Sequence, residues 1–229
     1  MRRGLFITFE GGEGTGKTTQ IRRLARWLQQ RGKKVVVTRE PGGTPFADWI
    51  RRILLDPKNR GMDPFLELLL YESARKDHVE KRVAPSLRSG AIVLCDRFTD
   101  ATLAYQGFGR RLPLPLIESL NRSVTGGLRP RLTFLLDLPP SLGLKRVKER
   151  ASDLVRASDQ QARGGNSRLR RGPPLKDRLE NEAAGFHRRV RSGYLTLARE
   201  QQRRFRLIDT RRPKDQVFGT IVEAVKKVL

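Results

Sequence analysis

Five short runs of the chain are almost wholly apolar: Leu5 to Glu10, Lys34 to Arg39, Ala91 to Asp96, Arg131 to Leu138 and Phe205 to Asp209. Runs of this length that are rich in Val, Ile, Leu and Phe read as strands. Their lack of polar alternation predicts a parallel sheet covered on both faces. Longer amphipathic stretches fill the gaps, from Lys17 to Arg31, Pro45 to Leu55, Pro64 to Arg88 and Pro113 to Thr125. Further helices are predicted from about Ser141 to Ala151, Lys176 to Arg203 and Lys214 to Leu229. Pro at an early helical position and Gly just past the end mark several of these boundaries. Strand and helix alternate, which is the pattern of an α/β sheet. One segment breaks it. Between Val155 and Lys176 there is no apolar period, Gly, Pro and Ser are frequent, and five Arg stand against one Asp, which predicts a mobile basic surface loop.

Composition adds bounds to this picture. A chain of 229 residues with 37% hydrophobic content suits one compact domain, here read as residues 1–229 with a basic insertion at about 150–178. The single Cys95 allows no internal disulfide and no cysteine-built metal cluster, and the apolar runs are far too short to span a bilayer. The expectation is a cytoplasmic protein with no membrane partner. The formal net charge of +24 invites a nucleic-acid reading. The excess is nevertheless spread along the chain, with no basic tail, and Arg outnumbers Lys 36 to 12, as a base-composition bias in the genome would also produce.

Candidate chemistry changes the picture more than charge does. Residues 11–18 read GGEGTGKT, with Gly11, Gly16, Lys17 and Thr18 at the fixed positions of a phosphate loop and Gly12, Glu13, Gly14 and Thr15 between them. Such a loop wraps a polyphosphate with inward-pointing amides, so bulky side chains must be absent and φ free to turn positive. Lys17 then reaches the β- and γ-phosphates of ATP, and the Thr18 hydroxyl meets Mg²⁺. The motif follows an apolar strand and opens an amphipathic helix, as that mechanism requires. Asp96 ends another apolar run and is the preferred second metal contact, with Asp137 competing for the role. Arg97 beside Asp96 suits a site that handles phosphates on two sides.

The motifs FEGGEGTGKTTQ at the start, TREPGGT at Thr38 to Thr44, LLLYESARKDHV at Leu68 to Val79, DRFTDATLAYQG at Asp96 to Gly107, LRPRLTFLLDL at Leu128 to Leu138 and DRLE at Asp177 to Glu180 occur in this order over nearly the whole chain. In this the sequence resembles the thymidylate kinases, a family of P-loop nucleoside monophosphate kinases. The resemblance implies a P-loop kinase fold: a five-stranded parallel sheet with helices on both faces and a basic lid insertion. It implies transfer of a phosphoryl group from ATP, with Mg²⁺, to dTMP in the supply of dTTP. Glu13 is then expected at the sugar 3′-hydroxyl, Arg39 and Arg97 on the acceptor phosphate, Glu40 near the metal and transferring group, and Pro41 beside the base. Tyr71 stacks on thymine, Arg75 meets the base edge, and Thr102, Tyr105 and Gln106 line the base and sugar pocket. Asp77 and Ala101 stand where family members often carry Gln and Ser. The phosphate loop has no Arg, so the resemblance assigns the catalytic arginine to the lid, with Arg156 taken from the candidates Arg150, Arg156, Arg163, Arg168, Arg170 and Arg171. It also implies a homodimer, for which the apolar helix from Pro64 to Val79 is available.

The competing reading is a P-loop ATPase whose output is nucleic-acid binding through the basic surface. Such a protein has no use for TREPGG, the Asp96–Arg97 pair and AYQG together. Nucleic acid is accordingly not the expected partner. His78 and His187 are expected as packing or surface residues, since phosphoryl transfer needs no imidazole.

Overall fold

The structure is a computed structural model that describes residues 4–163 and 178–229, with 154–163 described by their backbone alone. The elements run β1 (Leu5–Glu10), α1 (Lys17–Gln29), β2 (Val35–Arg39), α2 (Pro45–Leu55), α3 (Pro64–His78), α4 (Ala84–Arg88), β3 (Ile92–Asp96), α5 (Thr99–Thr102), α6 (Leu114–Thr125), β4 (Leu132–Asp137), α7 (Pro140–Arg163), α8 (Ala184–Glu200), β5 (Phe205–Asp209) and α9 (Lys214–Lys226). All five predicted strands are present, and they pair in parallel in the order β2-β3-β1-β4-β5. The central strand β1 carries the phosphate loop at its C-terminal end, where open α/β sheets bind ligands.

The apolar runs bury against helices on both faces. On one face, Ile21, Leu24 and Leu28 of α1 and Val217, Ile221 and Val225 of α9 pack on Ile7, Phe9, Leu94 and Phe134. On the other, Phe186, Val190, Tyr194 and Leu197 of α8 pack with Tyr105, Leu135 and Phe205, and Val79 and Val83 cover Phe6 and Val93. Full burial of each such side chain contributes roughly 1.5–3 kcal/mol. The expectation of strands covered on both faces holds for β1, β3 and β4 and fails at the edges: Val37 is 44% exposed and Leu207 is 56% exposed. Edge strands have a neighbour on one side only, so their outer positions lie open.

Helix boundaries follow their caps. Thr44 Oγ1 accepts from the Ala47 amide, Asp63 Oδ1 accepts from Phe65 and Leu66, and Pro45 and Pro64 follow directly. The stretch from Pro64 to Arg88 is one helical run with a π turn at Val79–Val83, in which the Ala84 amide donates to the Val79 carbonyl. Pro85 explains the widening, because its ring would crowd a carbonyl four residues back in an unbroken α-helix. A second π turn, Leu103–Gly109, follows α5. The basic loop predicted from Val155 is in part helix: α7 continues to Arg163 through LVRASDQQAR, which contains no Gly or Pro. The Gly- and Pro-rich part lies outside the described residues.

Candidate active site

The phosphate loop packs backbone against backbone. A Cβ on Gly14 would fall 2.2 Å from the Gly143 carbonyl, and one on Gly143 would fall 2.3 Å from the Glu13 carbonyl, so the loop rests directly on the first turn of α7. Gly16 caps α1 at φ 87°. Residues 13–18 line a wide, open cavity, while Gly11 and Gly12 are not part of its lining. Their carbonyls accept from Lys17 Nζ at 3.0 and 2.8 Å. Burial, joined by the charge of Arg97, lowers the Lys17 pKa.

Thr18 Oγ1 donates to Asp96 Oδ2 at 3.2 Å. The competing Asp137 is held by a bidentate Arg191, at 2.8 Å to each oxygen. Thr18 and Asp96 therefore present facing hydroxyl and carboxylate oxygens inside the phosphate-side cavity, a donor set suited to a hard divalent cation. Among the described residues no cluster of three His, Cys, Asp or Glu side chains is placed to hold a metal alone, so such an ion would take its other ligands from phosphate and water.

A second, smaller cleft adjoins the first and is lined by Pro41, Leu55, Tyr71, Ala101, Thr102, Tyr105, Gln106 and Leu179. Glu13, Glu40, Arg51 and Arg97 line both. Arg97 has φ 68°, in the left-handed region, and its amide donates to the Phe9 carbonyl. Its guanidinium donates to Glu13 Oε1 at 2.5 Å, to the Gly11 carbonyl at 3.0 Å and to Tyr194 Oη at 3.3 Å. Tyr105 Oη also donates to Glu13 Oε1, at 2.8 Å, so Oε2 keeps no partner among the described residues. Burial pushes the Glu13 carboxyl up, but Arg97 and Lys17 outweigh it and hold the pKa at about 2. Glu10 behaves oppositely: burial, reinforced by Asp100, raises it to about 8, while it accepts from the Phe98 amide and Tyr194 Oη.

Other predicted residues fall less simply. Arg39 lines the phosphate-side cavity and donates to Asp48 at 3.0 Å. Arg75 is not in the wall of the base cleft. Its guanidinium is 2% exposed and donates to Glu40, Glu72, Thr102, Asn121 and the Phe98 carbonyl, so it braces Glu40 and Thr102 from behind. Helical spacing puts Arg75 on the face of Tyr71, but the acceptors that captured it come from other segments. His78 is fully buried. Its Nδ1 faces Glu40 Oε1 at 2.9 Å and its Nε2 faces Thr38 Oγ1 at 2.7 Å; since a carboxylate only accepts, Nδ1 carries the proton. Burial would raise the Glu40 pKa, but Arg75 and His78 lower it. Asp77 lies outside both cavities, bonded to Thr44 and Lys81.

Of the lid candidates, Arg150 lines the phosphate-side cavity, as does Arg146, which sequence reasoning missed. Arg156 and Arg163 lie in the part of α7 described by backbone alone, and Arg168, Arg170 and Arg171 lie outside the described residues. Arg51 was missed as well. Its signal was available: Arg51 stands four residues after Ala47 and three before Leu54, so a charged side chain falls on the buried face of α2, close behind TREPGG.

A β-strand, glycine loop and helix wrapped around a phosphate-sized space, with Asp96 facing Thr18 and a second cleft alongside, define a P-loop nucleotide kinase. A family model described as thymidylate kinase matches residues 9–163. The chain is 52% identical over 206 residues to a thymidylate kinase of Geobacter sulfurreducens, spanning 90% of this chain and 89% of that one. It is 49% identical over 222 residues to that of Geotalea uraniireducens, spanning 97% and 96%. Among solved structures it matches the thymidylate kinase of Ehrlichia chaffeensis with a TM-score of 0.72 and 31% identity, over 98% of this chain and 99% of that one. The chain belongs to the thymidylate kinase family.

Proposed function

We propose that this kinase transfers the γ-phosphoryl group of ATP to dTMP, giving dTDP and ADP. The observation that carries the reading is the pair of adjoining cavities that share Glu13, Glu40, Arg51 and Arg97, one floored by the phosphate loop and the other slotted between Pro41, Tyr71 and Gln106. Two polyanions bound there meet at the shared residues. Family membership and the acceptor cleft give no support to an ATPase with nucleic-acid output.

The work of the protein is to hold donor and acceptor in line and offset their charge. Lys17 exchanges the carbonyls of Gly11 and Gly12 for β- and γ-phosphate oxygens. Arg97, fixed between the cavities, and Arg39 face the acceptor phosphate. Glu13, ionised at neutral pH, accepts from the sugar 3′-hydroxyl on its open Oε2. Tyr71 and Pro41 flank the base. Thr18 and Asp96 would hold Mg²⁺, which when bound supplies charge neutralisation between phosphate oxygens. Arg150 is the lid candidate that lines the phosphate-side cavity, with Arg156 about one and two-thirds helical turns further along α7.

A homodimer is part of this reading. Phe46, Trp49, Phe65, Leu66, Leu69 and Leu116 are each more than a third exposed and belong to α2, α3 and α6, an apolar surface suited to a second copy. We place the enzyme in the cytoplasm: no helix among the described residues is long and apolar enough to cross a membrane, and Cys95 is buried and unpaired. The test is a coupled ADP-release assay with dTMP, dUMP, dCMP and AMP. Stimulation by dTMP well above the ATPase background is expected; its absence sinks the reading.

A further inference from the structure

Glu67, in the first turn of α3, is fully buried and takes four hydrogen bonds from three residues in two separate segments. Oε1 accepts from Gln106 Nε2 at 2.8 Å and Arg110 Nε at 3.1 Å; Oε2 accepts from Arg110 Nη2 at 3.1 Å and Arg178 Nη2 at 2.5 Å. An ionised carboxylate has nothing to donate, so it dictates which way the Gln106 amide turns: nitrogen toward Glu67, oxygen away. Gln106 lines the base cleft, and its Oε1 has no partner among the described residues.

The same carboxylate fixes the chain where it returns at Arg178. Arg178 is 1% exposed, with Nε on the Leu54 carbonyl at 2.9 Å and its amide on the Leu55 carbonyl at 3.2 Å. Arg110 Nη2 reaches Glu182 Oε1 at 2.6 Å on the far side of the short 3₁₀ turn Leu179–Asn181. Between these pins Leu179 enters the base cleft, while Glu180 and Asn181 enter the phosphate-side cavity. A role in stability alone explains this poorly, since well-packed apolar residues commonly replace buried ion pairs without loss.

We propose that Glu67 is a positioning residue for the acceptor nucleotide: it turns the Gln106 amide so that its oxygen faces the base and, through Arg178 and Arg110, holds Leu179 in the wall of the same cleft. The inference rests on the reading of that cleft as the dTMP site. Burial pushes the carboxyl pKa up, but Arg110 and the Gln106 amide, with help from Arg178, outweigh it and keep the carboxyl ionised, which the amide orientation needs.

Steady-state kinetics on the full chain test it, and dTMP-stimulated ADP release by the unsubstituted enzyme checks the underlying reading separately. Glu67→Gln can turn a donor toward Gln106 and release its orientation. Its KM for dTMP is expected to rise about tenfold while KM for ATP moves less than about twofold. Because Glu67→Gln leaves buried guanidinium groups unpaired, the double variant Glu67→Gln, Arg178→Met is made alongside it, and the same split is expected. Gln106→Ala then supplies a readout that a purely structural role does not move. It is expected to raise KM for dTMP about tenfold in the unsubstituted enzyme and less than about twofold in the double variant, because the amide is already misplaced. The proposal is overturned if both KM values move together, if neither moves, or if Gln106→Ala has the same effect in both backgrounds. A double variant that does not fold assigns Glu67 to stability and overturns it equally.

Discussion

The two halves of the active site are built from different materials. The donor side is mostly backbone: glycines that let the loop touch α7, carbonyls that park Lys17, and a strand that delivers them. The acceptor side is built from buried charge, with Glu40, Glu72, Arg75 and His78 in one network and Glu67, Arg110 and Arg178 in another. A backbone site depends on conformation, so replacing one side chain there removes function and spares the fold. A charge-network site depends on every partner, so the same kind of change damages both.

The contrast is broken most severely at Glu40. Glu40→Ala leaves Arg75 and His78 buried without their carboxylate and is expected to cost ~3–5 kcal/mol of stability, read as a lower urea midpoint together with lost activity. Lys17→Ala should separate the two properties. Its kcat is expected to fall by ~10²–10³ with the urea midpoint almost unchanged, and a matching loss of stability would refute the distinction. Gly143→Ala probes the donor backbone from outside the motif. Its new Cβ would displace the loop at Glu13, raising KM for ATP by about tenfold at a stability cost of ~1–3 kcal/mol, with KM for dTMP following less. The smallest effect is electrostatic and concerns Glu10. Its folded pKa is raised above the unfolded one, so its stabilisation is complete below about 4.5 and is lost as pH rises through about 8. Glu10→Gln is expected to remove ~1–2 kcal/mol of the decline in stability between pH 5 and 8, measured by denaturant titration at each pH.

Legibility in the sequence follows the same division. GGEGTGKT and its flanking strand and helix are contiguous, so spacing alone disclosed the loop, the lysine and the threonine. Asp96 was preferred to Asp137 because Arg97 adjoins it, and Thr18 does meet Asp96. The strands were readable because buried parallel strands are runs of apolar residues; only the exposure of β2 and β5 was missed, since the order of strands is not written locally. Both π turns were invisible, because one added residue per turn leaves no periodic trace over so short a span. The ion networks were out of reach for a simpler reason. Glu67 and Arg178 are 111 residues apart and Glu40 and His78 are 38 apart; Glu40 is expected beside the metal and His78 as a packing or surface residue, but no local pattern pairs either couple until the fold joins them.

The left-handed turn at Arg97 sets backbone strain against side-chain charge at one position. Glycine there would relieve ~1–2 kcal/mol of backbone strain, yet it would withdraw the guanidinium that lines both cavities and pairs with Glu13. The ion pair with Glu13 is the larger of the two effects, so neither a search for heat-resistant variants nor one for activity should retain Arg97→Gly.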